Sequence, residues 1–186
     1  YSISHNFLSD LGGYKSHSGL PNLISFIIFN FSMILFTLIG ISFLFIPKLF
    51  KEDIISFIIS IIGSIFLFFG TFFFAGVGLT PYDLLLDEHI FFALNAFRLL
   101  VPGLILYFFV LIRSSVSKKY SLVIFCLLFF TLSYVVYQIV SDSPLTSIEQ
   151  MVEQAIIQKI ITLVNIVCMF FLSFAFSERL KDIKLS

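Results

Sequence analysis

The chain has 186 residues, of which 59% are hydrophobic and only 12% are charged, and its mean hydropathy is +1.09. Soluble domains carry about 25% charged residues, so this composition excludes a water-soluble globular domain and indicates a protein that is solvated by lipid. The formal net charge of +0 argues neither for nor against an anionic partner. Because no basic patch interleaved with aromatic residues is present, we expect no nucleic-acid partner.

Five apolar stretches are long enough to cross a bilayer. A helix needs roughly 20 apolar residues to span the hydrocarbon core, and we therefore predict transmembrane helices over 20–47, 54–79, 89–112, 121–140 and 155–176. Pro47 and Pro81 mark the ends of spans, and Pro102 next to Gly103 predicts a kink inside the third span. The sequence predicts an all-α, polytopic membrane helix bundle that forms a single domain over 1–186.

Basic residues are concentrated on one side of the predicted bundle. The two connections and the tail on that side carry eight: Lys48, Lys51, Arg113, Lys118, Lys119, Arg179, Lys181 and Lys184. The connections on the other side carry only Lys15. By the positive-inside rule, we expect a multi-pass protein of the cell membrane with a cytoplasmic tail over 177–186 and an extracytoplasmic segment over 1–19.

The opening segment is mostly polar and does not begin with methionine. A polar segment on the extracytoplasmic side follows either a cleaved signal peptide or a preceding membrane helix. We expect the helix, which gives six spans in the complete protein. In "SDLGG", we expect Ser9 or Asp10 to cap one helical turn that Gly12 and Gly13 end, so that the segment forms a lid over the bundle.

Two stretches and one span residue carry a family resemblance: "YSISHNFLSDLG" over 1–12, Asn30 in the first span, and "GVGLTPYDLLLDEHIFFALNAFRL" over 76–99. They resemble domain-of-unknown-function family 998, prokaryotic six-span membrane proteins that are more distantly similar to the eukaryotic Frag1/DRAM/Sfk1 membrane proteins. The matching residues are Tyr1, Ser4, Asn6, Ser9, Asp10, Leu11, Gly12, Gly76, Gly78, Pro81, Asp83 and His89. The resemblance implies the six-span fold and its topology, and it implies no activity.

Histidines and carboxylates form a candidate site on the predicted extracytoplasmic face. Its members are His5, Ser9, Asp10, His17, Asp83 and His89. The imidazoles and a carboxylate, with His5, Asp10 and His89 as the candidate ligands, could bind Zn²⁺ and activate water against a lipid ester or amide. No H-x-x-x-H spacing presents two ligands on one helix turn, so we predict no cofactor and keep zinc as the alternative.

Arg98 is the most unusual residue inside a predicted span. It lies nine residues past His89, which is roughly 13 Å deeper at 1.5 Å per residue. A charged side chain at this depth is costly, so we expect Arg98 to face the bundle and to find a partner there, with Asn95 on the same face.

Three further spans carry polar stripes at helical spacing. Their members are Asn30 and Thr37; Thr131, Tyr134 and Gln138; and Gln158, Thr162 and Asn165. We expect these stripes to make hydrogen bonds between helices, with a polar cavity as the alternative. Ser56, Ser60, Gly63 and Gly70 form a stripe of small residues that predicts close helix packing. Thr146 and Glu149 predict a capping box at the start of the fifth helix.

Three functional classes remain open. We favour a non-catalytic protein, either lipid-interacting or an accessory subunit of a membrane assembly, whose partners are the bilayer and other membrane subunits. The first alternative is an outward-facing metal-dependent lipid hydrolase that uses the histidines. The second is a small transporter that uses Arg98 and the amide stripes, although only one broken span is present where inverted repeats predict two.

Overall fold

The computed structural model describes residues 1–144 and 146–185. In these residues the chain forms five α-helices: α1 (Leu23–Phe43), α2 (Ile54–Leu79), α3 (Leu86–Arg113), α4 (Lys118–Val140) and α5 (Ile148–Leu185). All five are long and apolar enough to cross a membrane. The predicted all-α membrane helix bundle is therefore confirmed. Leu145, in a predicted loop, and Ser186, at the end of the predicted tail, lie outside the described residues.

α3, α4 and α5 are longer than the predicted spans, because polar residues continue these helices. α1 is shorter than the predicted 20–47, because the chain leaves the α-helix after Phe43 and forms a 3₁₀ turn at Ile46–Phe50. α2 has the predicted bounds, because Asp53 caps its start with a hydrogen bond from the Ile55 N–H and Pro81 follows its end. α5 begins before the predicted span and extends beyond it. Hydropathy marks the part of a helix that fits in lipid, whereas the backbone hydrogen bonds continue through the polar flanks.

The predicted capping box of Thr146 and Glu149 is wrong. Ser147 is the capping residue, since its Oγ accepts a hydrogen bond of 3.2 Å from the Gln150 N–H. The Thr146 hydroxyl instead donates to the Ser143 carbonyl in the preceding turn. Two hydroxyl residues stand side by side, and the local turn decides which of them caps the helix.

α2 and α3 pack most closely, and small residues make this possible. A Cβ atom added at Gly63 would lie 3.0 Å from the Tyr107 ring, and one added at Gly103 would lie 2.7 Å from the Leu67 side chain. The Ser64 hydroxyl, at the same interface, lies 2.6 Å from the Tyr107 hydroxyl. The packing face predicted from the small residues of α2 is therefore confirmed.

The five helices pack in chain order and leave a gap between the first and the last. α1 packs on α2, α2 on α3, α3 on α4 and α4 on α5. In the described residues α1 and α5 do not pack side by side; two short 3₁₀ turns, each touching both helices, bridge them instead. We call these turns the lid turn (Leu8–Gly12) and the basic-end turn (Ile46–Phe50).

The connections gather at two opposite ends of the bundle. The lid end contains 1–22, 80–85, 141–144 and 146–147. The Asp83 carboxylate joins the first two of these segments, because it accepts hydrogen bonds from the N–H groups of Tyr14 and Lys15. The basic end contains 44–53, 114–117 and the last turns of α5. There the half-exposed Arg113–Asp53 ion pair, at 2.8 Å, joins α3 to α2.

The buried Arg179 of α5 makes hydrogen bonds that attach this helix to the connections of the basic end. Arg179 is 8% exposed, and its guanidinium donates to the Leu49 carbonyl, the Ser115 hydroxyl and the Glu52 carboxylate at 3.0, 3.0 and 2.5 Å. One side chain thus joins α5, the basic-end turn and the α3–α4 connection. The basic end of the gap is closed by polar contacts as well as by packing.

Candidate functional site

The lid turn is organised by Asp10. Its Oδ2 accepts hydrogen bonds from the Phe7 N–H (2.9 Å), the Asn6 amide (3.1 Å) and His17 Nε2 (2.9 Å). The predicted turn is therefore present and Asp10 has a structural role in it. Phe7 is the residue that precedes the turn, and the Asp10 carboxylate caps the turn by accepting a hydrogen bond from the Phe7 N–H. Neither Ser9 nor Asp10 occupies the position before the turn.

Amide side chains attach the lid turn to both α1 and α5. Asn22, which directly precedes α1, donates to the carbonyls of Leu11 and Gly13. The buried Asn30 of α1 donates to the carbonyl of Gly12 at 3.1 Å. On α5, the Gln158 Oε1 accepts a 2.8 Å hydrogen bond from the Leu8 N–H. Lys159 adds a bond from its ammonium group to the Asn6 carbonyl. The lid turn therefore bridges the two helices that do not pack on each other.

Gly12 has a local reason to be glycine. A Cβ atom there would lie 2.5 Å from the Phe29 ring and 2.6 Å from the Asn30 Oδ1. No side chain fits at that distance, so the glycine lets the lid backbone contact α1 directly. The family-like "SDLG" stretch is explained by this close contact and by the Asp10 hydrogen bonds.

The three histidines do not converge. His5 is exposed and bonds only with Ser2 and Ser4. His17 bonds Asp10, and its ring lies 5.4 Å from the Tyr82 ring. His89 is buried, and its Nδ1 donates to the Thr80 carbonyl at 2.6 Å.

The candidate zinc ligands His5, Asp10 and His89, which belong to the alternative interpretation, are not brought together in the described residues. In residues 1–144 and 146–185, no group of three or more His, Cys, Asp or Glu side chains lies close enough to hold a metal ion. Asp83, which the sequence also placed in this site, uses its carboxylate to hold the 14–15 backbone. Partial burial, with the nearby carboxylates Asp10 and Asp83, raises the pKa of Tyr82 to about 12.

A cavity of about 180 Å³ lies in the gap between α1 and α5, beneath the lid turn. Leu8 and Ser9 of the lid turn line its roof, and all five helices contribute to its walls. Most lining residues are apolar: Phe29, Met33, Phe36, Phe43, Leu67, Phe74, Val77, Ala93, Phe97, Leu100, Leu104, Leu127, Ile166 and Met169. Phe43 lies at the floor and packs edge to face on the rings of Tyr107 and Phe176.

The cavity opens sideways, toward the surface that faces lipid. Ile166 lines the cavity and is also 57% exposed, so it lies at the mouth. We place the mouth at the gap between α1 and α5, since in the described residues these helices do not pack side by side and the two turns bridge them at its ends. A molecule in the membrane therefore reaches the cavity without passing through the lid.

The polar stripe of α5 lines this cavity. Gln158, Thr162 and Asn165 are all on its wall, and apart from the bond of Gln158 to the lid they make no hydrogen bond to another helix in the described residues. Thr162 and Asn165 donate to carbonyls of their own helix, four residues back. The predicted bonds between helices are wrong for these two residues, and the alternative of a cavity with polar groups holds for α5.

The polar residues of α4 lie elsewhere. Thr131 is fully buried, Tyr134 packs its ring 4.8 Å from that of Phe97, and Gln138 is half-buried nearer the lid end. Asn95 on α3 donates to the Phe91 carbonyl of its own helix. The polar residues of the predicted spans therefore have different surroundings. Asn30 contacts the lid, the α5 residues line the cavity, the α4 residues pack in the core or near the lid end, and Asn95 lies on the lipid-facing side of α3.

Arg98 does not face the bundle, and the prediction that it would is wrong. Its side chain is exposed and has no hydrogen bond or ion pair in the described residues. The inner face of α3 is filled by closely packed residues such as Ala96, Leu104 and Val110, each at most 2% exposed. A guanidinium has neither room nor a carboxylate partner on that side.

The cavity residues were not identified from the sequence. Phe29, Met33 and Phe97 look like any other apolar residue of a span, and only their long-range arrangement makes them a wall. A usable signal was present in α5, where the spacing of Gln158, Thr162 and Asn165 placed three polar groups on one helix face.

Comparisons of this chain with protein-family models, with curated proteins and with solved structures each give no match. The resemblance to domain-of-unknown-function family 998 stays a prediction. The geometry of the cavity and the lid is therefore the basis for a functional proposal.

Proposed function

We propose that this chain is a non-catalytic membrane protein that binds one acyl chain of a membrane lipid in the cavity between α1 and α5. The observation that carries this proposal is the apolar cavity with a sideways mouth at Ile166. The lid turn separates the acyl chain from the aqueous side, and the rest of the lipid stays in the surrounding bilayer.

The size of the cavity fits part of an acyl chain. An apolar cavity of about 150 Å³ in a soluble protein stays dry and binds benzene. At about 180 Å³, the cavity between α1 and α5 therefore holds a segment of roughly six carbon atoms. A longer chain extends out through the mouth, which opens to lipid.

The energy gained by lipid binding comes from filling space. A lipid tail gains little from leaving other lipid tails, because both surroundings are apolar. An empty cavity, however, costs about 24 cal/mol per Å³ in lost packing contacts. For 180 Å³ this is roughly 4 kcal/mol, an upper limit to what an acyl chain can contribute by filling the space.

Polar groups on the α5 wall favour a lipid with hydrogen-bond acceptors near its acyl chain. The Gln158 Oε1 is used by the lid, which leaves the amide NH₂ group as a donor on the cavity wall. Thr162 and Asn165 lie one and two turns deeper on the same wall. Ester carbonyl oxygens of a phospholipid are acceptors that match the Gln158 amide and the second N–H of the Asn165 amide. The Thr162 hydroxyl is not such a donor, because its hydrogen is bonded to the Gln158 carbonyl.

The sidedness of the charges completes the proposal. The basic end has eight basic residues in the sequence, and the lid end has Lys15 among the residues of its connections. We therefore assign the basic end to the cytoplasm and the lid to the extracytoplasmic side of a cell membrane. The lipid then comes from the extracytoplasmic leaflet, since the cavity lies directly under the lid.

The histidines favour this non-catalytic role over the hydrolase alternative. His17 is held by Asp10 and His89 by the Thr80 carbonyl, so both serve the local structure of the lid end. The transporter alternative needs Arg98 on an internal path, and Arg98 is on the outer surface of α3.

The absence of tryptophan from the sequence permits a direct test with a single fluorophore. Phe97, a buried cavity residue, is replaced by Trp, and the protein is placed in bilayers of phospholipid brominated along the acyl chain. We expect strong quenching for Phe97→Trp. Phe50→Trp, at a buried position that does not line the cavity, is the matched control and should be quenched weakly.

Adding Thr162→Phe to the Phe97→Trp protein should restore its fluorescence, because the new ring occupies the cavity. If Phe97→Trp is quenched no more than Phe50→Trp, or if Thr162→Phe leaves the quenching unchanged, acyl chains do not enter the cavity and the proposal is wrong.

A further inference from the structure

The lipid-facing side of α3 exposes apolar side chains together with one arginine. Phe91, Ile105 and Phe109 are 54%, 37% and 52% exposed, and Arg98 lies among them on the same face. At 100° per residue, Arg98 points about 130° away from the α3 residues that line the cavity. This face is therefore separate from the lipid cavity.

Two further polar groups lie beside Arg98. The Asn95 side chain is one turn toward the lid end and bonds only to the Phe91 carbonyl. Pro102, four residues after Arg98, has no N–H, so the Arg98 carbonyl oxygen lacks its usual helical donor. A guanidinium, an amide and an underused carbonyl thus occur within two turns of one lipid-facing surface.

The depth of Arg98 makes an unpaired state unfavourable. It lies roughly 18 Å from the first residue of α3 and roughly 22 Å from the last, at 1.5 Å per residue. This is near the middle of a hydrocarbon core of about 30 Å, where an arginine costs at least about 2.5 kcal/mol on the gentlest scale. Such residues are normally paired inside a protein assembly.

Within residues 1–186, neither this chain nor a second copy of it offers a carboxylate at that depth. The acidic residues of the sequence all lie in connections or in the terminal turns of helices, and none lies in the middle third of a span. A phospholipid phosphate is also a poor match. It lies about 15 Å from the midplane, and the arginine side chain covers only part of that distance.

We propose that the Arg98 face of α3 docks a further transmembrane helix, from outside residues 1–186, and that this helix carries an aspartate or glutamate near the bilayer midplane. The carboxylate pairs with the guanidinium through charge-assisted hydrogen bonds, which are strong where water is absent. Phe91, Ile105 and Phe109 supply the apolar contacts on either side of the pair. This interaction is independent of lipid binding, because it uses the other face of α3.

The test uses host helices of known sequence in place of the partner. Three single-span polyleucine helices, with a central Asp, Asn or Leu, are each reconstituted with the full chain in bilayers. Association is measured by energy transfer between labels on the host helix and on the chain. We expect the Asp helix to associate roughly tenfold or more tightly than the Leu helix.

Variants of the chain identify the contact. Arg98→Leu should reduce binding of the Asp helix to the level of the Leu helix, and Arg98→Asp should prefer a host helix with a central Lys. Phe129→Leu, at a lipid-exposed position of α4, is the matched control and should bind as the unmodified chain does. Because the Arg98 side chain is exposed and makes no hydrogen bond or ion pair in the described residues, these variants should fold normally, which the helical circular dichroism signal checks.

Two results would overturn the proposal. In the first, the Asp helix binds Arg98→Leu as tightly as it binds the unmodified chain. In the second, no host helix is preferred, while Arg98→Leu changes the affinity of the chain for anionic phospholipid; Arg98 then contacts a lipid phosphate.

Discussion

Thr162→Phe tests whether the cavity is a space that an acyl chain occupies, because it places a side chain of similar size there. Thr162 lines the cavity, and its hydroxyl donates only to the Gln158 carbonyl of its own helix. The phenylalanine ring is the size of benzene, which fills most of an apolar cavity of about 150 Å³. The cavity here measures about 180 Å³, so the ring takes the space that we assign to the acyl chain.

The expected gain in stability is modest. Filling the whole cavity is worth at most roughly 4 kcal/mol, and cavity-filling substitutions deliver about 0.5–2 kcal/mol in practice. Loss of the threonine hydrogen bond costs about 1 kcal/mol or less, because the acceptor is already bonded within the helix. We therefore expect a net gain of about 1 kcal/mol, or a rise in Tm of roughly 2–4 °C.

The assay is thermal unfolding in detergent, first after delipidation and then with added phospholipid. The Tm of the unmodified chain should rise when lipid is added, since a ligand that binds only the folded state stabilises the folded state. Thr162→Phe should begin with the higher Tm and gain little from lipid. Leu163→Phe, at the neighbouring position that is 63% exposed, is the control and should respond to lipid like the unmodified chain.

An equal lipid-induced rise in Tm for Thr162→Phe and Leu163→Phe would refute the assignment of the cavity to an acyl chain. This assignment is equally refuted if Thr162→Phe is destabilised in delipidated detergent, because the ring then meets packed side chains where we infer a space.

Three substitutions test the basic end. Arg179→Gln removes the buried guanidinium bonds and the Glu52 ion pair, so we expect the free energy of unfolding to fall by about 2 kcal/mol in a denaturant titration. Arg113→Gln, in the half-exposed pair with Asp53, should cost clearly less than Arg179→Gln, because solvent screens this pair. Equal losses for the two variants would contradict the assigned roles. A hydrogen bond from Ser56 and the nearby Arg113 lower the pKa of Asp53 from 3.8 to about 2, so its stabilising contribution is complete above about pH 4 and is lost as the pH falls toward 2. Asp53→Asn should therefore show a shallower fall in Tm between pH 4 and 2 than the unmodified chain, and parallel curves would refute this.

The fold was predictable because the bilayer imposes a simple requirement on the sequence. A spanning helix must be apolar over roughly 20 residues, and each of the five spans meets this condition without ambiguity. The lid turn was also predictable, since "SDLGG" contains an acidic capping residue followed by two glycines. Only the position of Asp10 within the turn differs, because its carboxylate reaches back to Phe7.

The cavity and the direction of Arg98 were not predictable for a different reason. The helices are apolar on nearly every side, so the sequence does not distinguish the face toward lipid from the face toward the bundle. The cavity moreover depends on contacts between distant segments, such as Leu8 with Gln158, which a single sequence does not reveal. Arg98 was expected inside because charge is costly in lipid; the close packing of the inner α3 face reverses this orientation.

Native mass spectrometry of the chain, released from bilayers under mild conditions, tests the central claim most directly. We predict one phospholipid retained per unmodified chain and per Leu163→Phe chain, and none retained by Thr162→Phe. Equal phospholipid retention by Thr162→Phe and Leu163→Phe would contradict the assignment of the space between α1 and α5 to an acyl chain.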